Sequence, residues 1–508
     1  PPEQLTIKVA SVIGRIFAYR VLRDAYPTSV DEAQLHRHLD DLARLEIALP
    51  ETPEPDLAYL FKHIVTQEVV YSLMTFAQRR QLHERVALRL EAQGEAEQVR
   101  DVPRLAYHWQ QAGAAEKAAV YYERAGESAF RGFANQEAIR FLSLAAELAG
   151  PGVSTLRRAR WERLMGEAAY RLTQMEESKA HYSAALALVG RAGPRSMAGN
   201  ALRLTAELAR QSGNRLLSRR LVTLPPASNE SLLEAARSYE GVAEVFYNEG
   251  NLVASFRCVM AALNLADRAG PSAELARGYA NMVGTLGTAS LNSLAEGYRV
   301  RAVALAANLG DKATLAGIKV PLASQSLWVG AWERADTEVA QALEIYAQLG
   351  EWRQWGVAAW LRPQVAQSRG EPERARELWA ELVDVAGQHR DTRHEVRGRG
   401  GQFFNYLALG RAADAERVAV EIGALLDDNP EMAPVEERLW LGVNARRALE
   451  RGDLATARAF GHEQLAAIGR ARFKFDLLEV FAGPAEVLLG LAERGEATIE
   501  EARQGCRT

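Results

Sequence analysis

Apolar residues recur along most of the chain at the three- and four-residue spacing of amphipathic α-helices. In the second half of the chain, a glycine or another small residue is followed five positions later by alanine or serine. This signature occurs as Gly250/Ser255, Ser290/Ala295, Gly330/Ala335, Gly370/Ala375, Gly410/Ala415 and Gly452/Ala457. Successive copies lie 40, 40, 40, 40 and 42 residues apart. Such a fixed period predicts an array of similar structural units.

Each unit is long enough for two helices of about 17 residues, each about 25 Å in length. Gly270, Gly310 and Gly350 lie twenty residues after the first three markers, where glycine favours the end of a helix. One hairpin cannot bury its apolar face alone, but stacked hairpins can. The predicted fold is therefore mainly α, a tetratricopeptide-like helical-hairpin solenoid with lengthened helices, since the tetratricopeptide period is about 34 residues.

Weaker copies of the signature occur upstream, at Gly113/Ala118, Met175/Ala180 and Gly213/Ser218. Leu224-Pro225-Pro226 is the best candidate for an interruption of the array, because proline stops a helix. We therefore predict tetratricopeptide-like repeats over residues 101–224 and the 40-residue solenoid over residues 225–508.

Residues 1–100 do not share the period. Helical spacing predicts one helix over Leu5–Tyr26 and another that begins at Asp31 and runs through Leu45. Apolar residues alternate on both sides of a proline-rich tip between Ile47 and Phe61, which predicts two short strands. Helices follow from His63 and over Gln78–Ala92. This order of helices and strands predicts a small winged-helix domain.

Composition excludes several classes of protein. Of the 508 residues, 48% are hydrophobic and 25% charged, as in an ordinary globular protein, and the formal charge is −4. Apolar runs end well short of 18 residues, so we expect no transmembrane helix. The only cysteines, Cys258 and Cys506, lie far apart, which favours a cytoplasmic location. The opening Pro1-Pro2 lacks Met and a signal segment, as expected of a piece of a longer polypeptide.

One block of sequence is similar to a known family. Three segments carry the similarity: the run from Leu60-Phe61-Lys62-His63 to Leu73, then Gln78-Arg79-Arg80, then Leu105-Ala-Tyr107-His108-Trp109. They resemble the winged-helix segment after the nucleotide-binding domain of bacterial STAND ATPases (signal-transduction ATPases with numerous domains). The variety linked to class III adenylate or guanylate cyclases resembles this chain most. The resemblance is specific over about residues 1–150.

The resemblance implies a switch protein. An ATPase that uses ATP, ADP and Mg would lie upstream, with a nucleotide cyclase as its output. The winged helix would pack on that ATPase and hold it closed, and a protein, peptide or small effector on the repeats would release it, with homo-oligomerisation on activation. This chain lacks the G-x-x-x-x-G-K-[ST] loop that holds phosphate, so we expect no catalysis and no cofactor in it.

His63 is the candidate nucleotide-sensing residue. It matches a position where related winged helices place a histidine near the β-phosphate of ADP in the neighbouring domain. The alternative is a histidine at the start of a helix that is satisfied by local hydrogen bonds.

Two further clusters are candidates for binding a ligand or a partner. Six of the nine tryptophans lie within 52 residues: Trp328, Trp332, Trp352, Trp355, Trp360 and Trp379. Aromatic side chains anchor flat ligands and apolar peptides, although packing between helices is the alternative. Just beyond them, Arg390, Arg393, Arg397 and Arg399 offer guanidinium groups to phosphate or an acidic partner; a solvated helix end is the alternative.

Other chemistry is not indicated. His36 and His38 are two apart on a predicted helix and point to different faces. His389 and His394 lack a nearby third ligand at a metal-binding spacing. Basic and acidic residues are mixed between Asp31 and Arg44 and the segment is nearly neutral, so no basic recognition helix for DNA is predicted. We therefore expect a sensor and regulatory region that binds neither metal, nucleic acid nor membrane. A constitutive protein-interaction scaffold and an anti-phage recognition module remain alternatives.

Overall fold

The structure is a computed structural model, in which the chain divides into two compact units. Unit 1 is Pro1–Leu172 and unit 2 is Thr173–Thr508. The structure describes residues 2–53, 57–92, 95–132, 134–172, 174–191, 197–216, 226–249, 251–288, 291–429, 434–470 and 478–495. The predicted boundaries at residues 100 and 224 stay predictions.

Unit 1 combines nine helices with three short strands in its described part. Its elements are α1 (Pro2–Ile13), β1 (Ile16–Ala18), α2 (Tyr19–Asp24), α3 (Glu32–Arg44), β2 (Ala48–Thr52), β3 (Ala58–Phe61), α4 (Ile64–Ser72), α5 (Phe76–Glu91), α6 (Glu95–Gln111), α7 (Ala115–Arg131), α8 (Asn135–Leu148) and α9 (Thr155–Arg171). The helix predicted to begin at Asp31 is α3, and Asp31 is its N-cap residue, although its side chain makes no capping hydrogen bond.

The predicted helix over Leu5–Tyr26 is wrong in its middle. The first helix ends at Ile13, and Gly14 follows with φ of 138°, a conformation that favours glycine. Ile16–Ala18 then forms β1, whose partner β3 is more than forty residues away in sequence. Local spacing does not reveal a pairing of this range, because the apolar residues of a short strand also fit a helical pattern.

The sheet has the order β1-β3-β2, with antiparallel pairs. The two strands predicted between Ile47 and Phe61 are β2 and β3, and both are present. Phe17 and Phe61 are fully buried, with ring centroids 5.4 Å apart. A small domain with a sheet thus precedes the repeats, and its assignment to the winged-helix class stays a prediction.

Unit 2 is a series of helical hairpins. Its helices are α10 (Met175–Leu188), α11 (Met197–Leu216), α12 (Pro226–Asn248), α13 (Leu252–Ala269), α14 (Ala273–Thr288), α15 (Asn292–Leu309), α16 (Lys312–Trp328), α17 (Trp332–Leu349), α18 (Trp352–Ala359), α19 (Leu361–Ser368), α20 (Pro372–Gln388), α21 (Thr392–Ala408), α22 (Ala412–Asp427), α23 (Pro434–Arg451), α24 (Leu454–Arg470) and α25 (Leu478–Glu493). The predicted fold class, a mainly α helical-hairpin solenoid preceded by a small domain, is confirmed.

Glycine turns divide the hairpins as predicted. Gly330, Gly370, Gly410 and Gly452 all have φ between 71° and 77°, in the left-handed region that other residues avoid. Gly250 and Ser290 lie outside the described residues. The weaker turn predicted at Gly213 is wrong, because that residue lies inside α11. Of the predicted interruption, Leu224 and Pro225 lie outside the described residues and Pro226 begins α12.

Among the described residues, no helix combines the length and the apolar character needed to cross a bilayer.

Candidate functional site

The helix α4 carries an apolar surface that unit 1 leaves uncovered. Not one of its residues is buried. Ile64, Val65, Val69, Leu73 and Phe76 are between 49% and 82% exposed, and we call these five side chains the α4 face. Val65, Val69 and the C-cap residue Leu73 follow one another at the four-residue spacing that aligns residues on one side of a helix, and Phe76 begins α5. A continuous exposed apolar surface on a folded protein marks an interaction site.

The sequence predicted the helix but not its exposure. Apolar residues at helical spacing usually face a core, and only the packing in unit 1 reveals that this stripe points outward. The sequence pattern carries no such signal, because the remaining positions of α4 mix polar Thr66 and Gln67 with apolar Val70 and Tyr71, and all four are half-buried.

A chain of buried polar groups holds α4 in place. The Tyr71 hydroxyl lies 3.0 Å from Nε2 of His83 on α5, and Nδ1 of His83 lies 2.8 Å from Nδ1 of His108 on α6. Burial lowers the pKa of His83 to about 4, assisted by the charge of Arg79, and lowers that of His108 to about 3. Both imidazoles are therefore neutral at pH 7, and one N–H···N hydrogen bond between them joins α5 to α6.

The turn between α4 and α5 is also fixed. Thr75 and Gln78 form a reciprocal capping box at the start of α5. Arg79 donates hydrogen bonds to the carbonyl oxygens of Met74 and Ser72, at 3.1 and 3.0 Å. The α4 face is thus presented by a helix whose end cannot shift independently of α5.

His63 lies directly before α4 and is exposed. It is the N-cap residue, and its side chain makes no capping hydrogen bond, although its carbonyl oxygen accepts one from the Thr66 amide at 3.1 Å. The neighbouring Ile64 belongs to the α4 face. The nucleotide-sensing role of His63 stays a prediction, and the structure places the residue at the edge of that face.

The six predicted tryptophans do not form one surface. Trp355 and Trp379 are buried in the core of unit 2, and Trp379 occupies the space that a side chain at Gly401 would need. Trp352 stacks on His389, with ring centroids 4.3 Å apart. These three have packing contacts of the kind given above as the alternative to a binding role.

The other three tryptophans are more accessible. Trp328 and Trp332 are 52% and 39% exposed on either side of the Gly330 turn. Trp360 is half-buried at the junction of α18 and α19. The structure therefore separates the predicted cluster into core and surface members, and a ligand-binding role for the surface members stays a prediction.

The predicted arginines differ in their surroundings. Arg397 donates to Oε1 of Glu436 at 2.9 Å, and Nε of Arg393 lies 3.5 Å from the same oxygen. Glu436 is fully buried, so an anionic ligand would have to compete with it for both guanidinium groups. Arg390 is exposed in the turn before α21, with φ of 55°. Arg399 pairs with Glu395 at 2.9 Å.

The histidines of this region show no metal geometry. Nδ1 of His394 lies 2.6 Å from Asp391. Burial opposes ionisation of Asp391, but the hydrogen bond from His394 outweighs it and lowers the pKa of that carboxyl to about 2. No group of three or more metal-ligating side chains occurs within the described ranges.

No protein-family model and no curated protein matches the chain. Among solved structures, it is similar to a STAND protein with a tetratricopeptide repeat sensor from Pyrococcus horikoshii (TM-score 0.46, 10% identity, 100% of this chain and 63% of that chain). It is also similar to a Rap protein complexed with competence and sporulation factor (TM-score 0.45, 13% identity, 78% and 94%). A third is aspartyl phosphate phosphatase F from Bacillus subtilis (TM-score 0.45, 11% identity, 75% and 90%). The chain thus spans 63% of the length of the first of these.

Proposed function

We propose that this chain is the non-catalytic sensor and regulatory region of a signal-transduction ATPase, of the kind linked to nucleotide cyclases. In this proposal the repeats bind a protein, a peptide or a small effector, and the α4 face rests on an upstream nucleotide-binding domain. ATP, ADP and Mg belong to that upstream domain. The exposed α4 face is the observation that carries the proposal.

The composition of the α4 face supports a stable partner within the same polypeptide. Leu73 and Phe76, 72% and 82% exposed, are large apolar side chains that water solvates poorly. Covering each of them contributes about 1.5 to 3 kcal/mol. A domain tethered to the start of this chain is always present at high effective concentration, so it is suited to cover such a surface.

The buried polar chain supports a route from the repeats to this face. His108 lies on α6, next to the first helices of the repeats, whereas Tyr71 lies on α4 itself. Because His83 connects the two, a shift of α6 on partner binding would move or release α4. The differential affinity required for such a switch is a few kcal/mol.

Docking of the α4 face on the ATPase is tested by introducing a charged residue into that face, in the longer polypeptide that carries the ATPase. Val69→Asp should speed ADP release by roughly tenfold, since a buried unpaired carboxylate costs more than 1.4 kcal/mol. Val300→Asp is the matched control, because Val300 is an exposed valine (61%, against 50% for Val69) on helix α15 of unit 2. Equal ADP release by wild type and Val69→Asp would refute docking through this face.

His63 and the sensor role need separate measurements. His63→Ala should weaken ADP retention while leaving the α4 face intact, and unchanged retention would remove the nucleotide-sensing role from this residue. For the sensor role, the affinity of the repeats for their partner is compared in the ADP and ATP states. A difference between the states supports the switch, whereas equal affinities favour the constitutive scaffold.

A further inference from the structure

We infer that unit 1 contains a second binding site, a pocket between α7 and α9 that accepts a small apolar group bearing a positive charge. The pocket has a volume of about 280 Å³ and is lined by parts of α7, the loop before α9, and α9 itself. It lies apart from the α4 face, on the repeats. Its volume is just below the range of about 300–1,000 Å³ typical of ligand sites, which suits one side chain or a small amine.

The walls of the pocket are mostly apolar. Ala119 and Val120 on α7 face Val153 in the loop, and Trp161 on α9 is fully buried beside them. An apolar body that enters the pocket would be removed from water on several sides, which is the usual source of affinity in small sites.

The pocket wall is preformed. Arg158 donates hydrogen bonds to the carbonyl oxygens of Ala149 and Gly150, at 2.9 and 3.0 Å, and so fixes the loop. Arg157 donates through Nε to both carboxylate oxygens of Glu123, and the indole Nε1 of Trp161 donates to the same carboxylate at 2.7 Å. A preformed wall lowers the entropic cost of binding.

These contacts also decide the sign of the charge in the pocket. Burial opposes ionisation of Glu123, but hydrogen bonds from Arg157 and Trp161 outweigh it and lower the pKa of the carboxyl, so Glu123 and Arg157 neutralise each other. Glu116 adds a further carboxylate at the rim and is exposed. With Arg158, whose guanidinium is held by the Ala149 and Gly150 carbonyl oxygens, the four charged side chains sum to zero, so the attraction for a cation is local to the carboxylate of Glu116 at the rim.

Two glycines line the pocket near Glu116. A Cβ atom at Gly152 would meet nothing within 4 Å, and one at Gly150 would lie 3.5 Å from Oε1 of Glu116. The carboxylate of Glu116 therefore lies over the entrance, where it would meet the charged end of a ligand whose apolar end is inside. The ligand chemistry is a hydrophobic ammonium group, from a free amine or from a lysine side chain of a partner.

Calorimetry with the full chain tests the site, using 2-phenylethylammonium and its neutral counterpart 2-phenylethanol as probes. The amine should bind saturably and up to about fivefold more tightly than the alcohol, as expected of one partly exposed charge pair. Glu116→Gln should abolish this preference. Gly152→Trp should abolish binding, whereas Gly297→Trp, at an equally open and exposed glycine of unit 2, should retain it.

The blocked peptide acetyl-Ala-Lys-Ala-amide distinguishes the two sources of the cation. Tighter binding of the peptide than of the amine assigns the pocket to a partner's lysine, and the reverse order assigns it to a free amine. Three results would overturn the site: no saturable binding of either probe, undiminished binding to Gly152→Trp, or a preference for the amine that survives in Glu116→Gln.

Discussion

His83 and His108 tie the stability of unit 1 to pH through their burial. Both side chains are almost inaccessible, and their pKa values of about 4 and about 3 lie below the ordinary histidine value of 6.5. Between about pH 3 and pH 6.5, the folded chain therefore binds fewer protons than the unfolded chain, because its two buried imidazoles stay neutral. Their contribution to stability is complete above pH 6.5 and is lost as the pH falls towards 4.

We therefore expect unit 1 to lose stability between pH 7 and pH 5, by up to about 1.4 kcal/mol per pH unit for each histidine. Urea unfolding followed by circular dichroism at the two pH values measures this difference. The double variant His83→Phe/His108→Phe should show a smaller difference. Leu105→Ala, at a buried apolar residue of α6, should lower stability equally at both pH values. An unchanged pH dependence in the double variant would contradict the assignment.

Arg397 has a structural role, because it forms an ion pair with the buried carboxylate of Glu436. Arg397→Met leaves that carboxylate with Arg393 as its remaining ion-pair partner, at 3.5 Å. We expect a loss of about 2 to 3 kcal/mol in the free energy of unfolding, measured with urea. Arg376→Met is the matched control, since its partner Glu373 is exposed and exposed pairs contribute little.

If the loss comes from an uncompensated charge, adding Glu436→Gln to Arg397→Met should restore part of it. No restoration would indicate that Arg397 acts through packing of its aliphatic stem instead.

At the scale of the element, the turns that close successive repeats contain a glycine with positive φ at positions 310 and 350, whereas position 390 is an arginine. Gly310 and Gly350 have φ of 68° and 70°, and Arg390 adopts φ of 55° at the equivalent position one repeat later. An L-residue in this region is strained by about 1 to 2 kcal/mol. Side chains at the glycine positions would meet open space, so the backbone conformation alone decides the preference.

Two substitutions at equivalent turns should consequently have opposite effects. Gly350→Ala should lower the free energy of unfolding by about 1 kcal/mol, whereas Arg390→Gly should raise it by about 0.5 to 1 kcal/mol. Differential scanning calorimetry measures both shifts in Tm. A decrease for Arg390→Gly would mean that the arginine side chain contributes more than the strain costs, as expected of a binding residue retained in a strained turn.

The repeats and the strands β2 and β3 were predictable from sequence and the strand β1 was not, for the same physical reason. A hairpin such as α20 and α21 contacts mainly its neighbours, so its signals, Gly370 and the small residue Ala375, lie within forty residues. The strand Ile16–Ala18 exists only because Leu60 and its neighbours pair with it, and the local pattern contains no trace of that partner.

Exposure was the least predictable property of the candidate sites. Trp328 and Trp379 belong to one cluster in the sequence. Only the stacking of the helices decides that Trp328 is half-exposed and Trp379 fully buried. Similarly, the apolar residues of α4 have the spacing of a core stripe. The pocket at Glu116 depends on three segments that meet in space, and no single one of them carries its signature.

At the scale of the whole molecule, the chain divides into two compact units, so we expect a destabilising substitution in one unit to leave the stability of the other unchanged. Trp379→Ala removes a fully buried side chain from unit 2, and we expect a cost of about 3 to 5 kcal/mol. Hydrogen exchange should accelerate in α20 and α21 and fade with distance along the repeats, because each hairpin is stabilised by its neighbours. Exchange in α5 of unit 1 should not change. Faster exchange in α5 would show that the two units unfold as one, and the proposed regulation would then require global unfolding rather than a shift of α6.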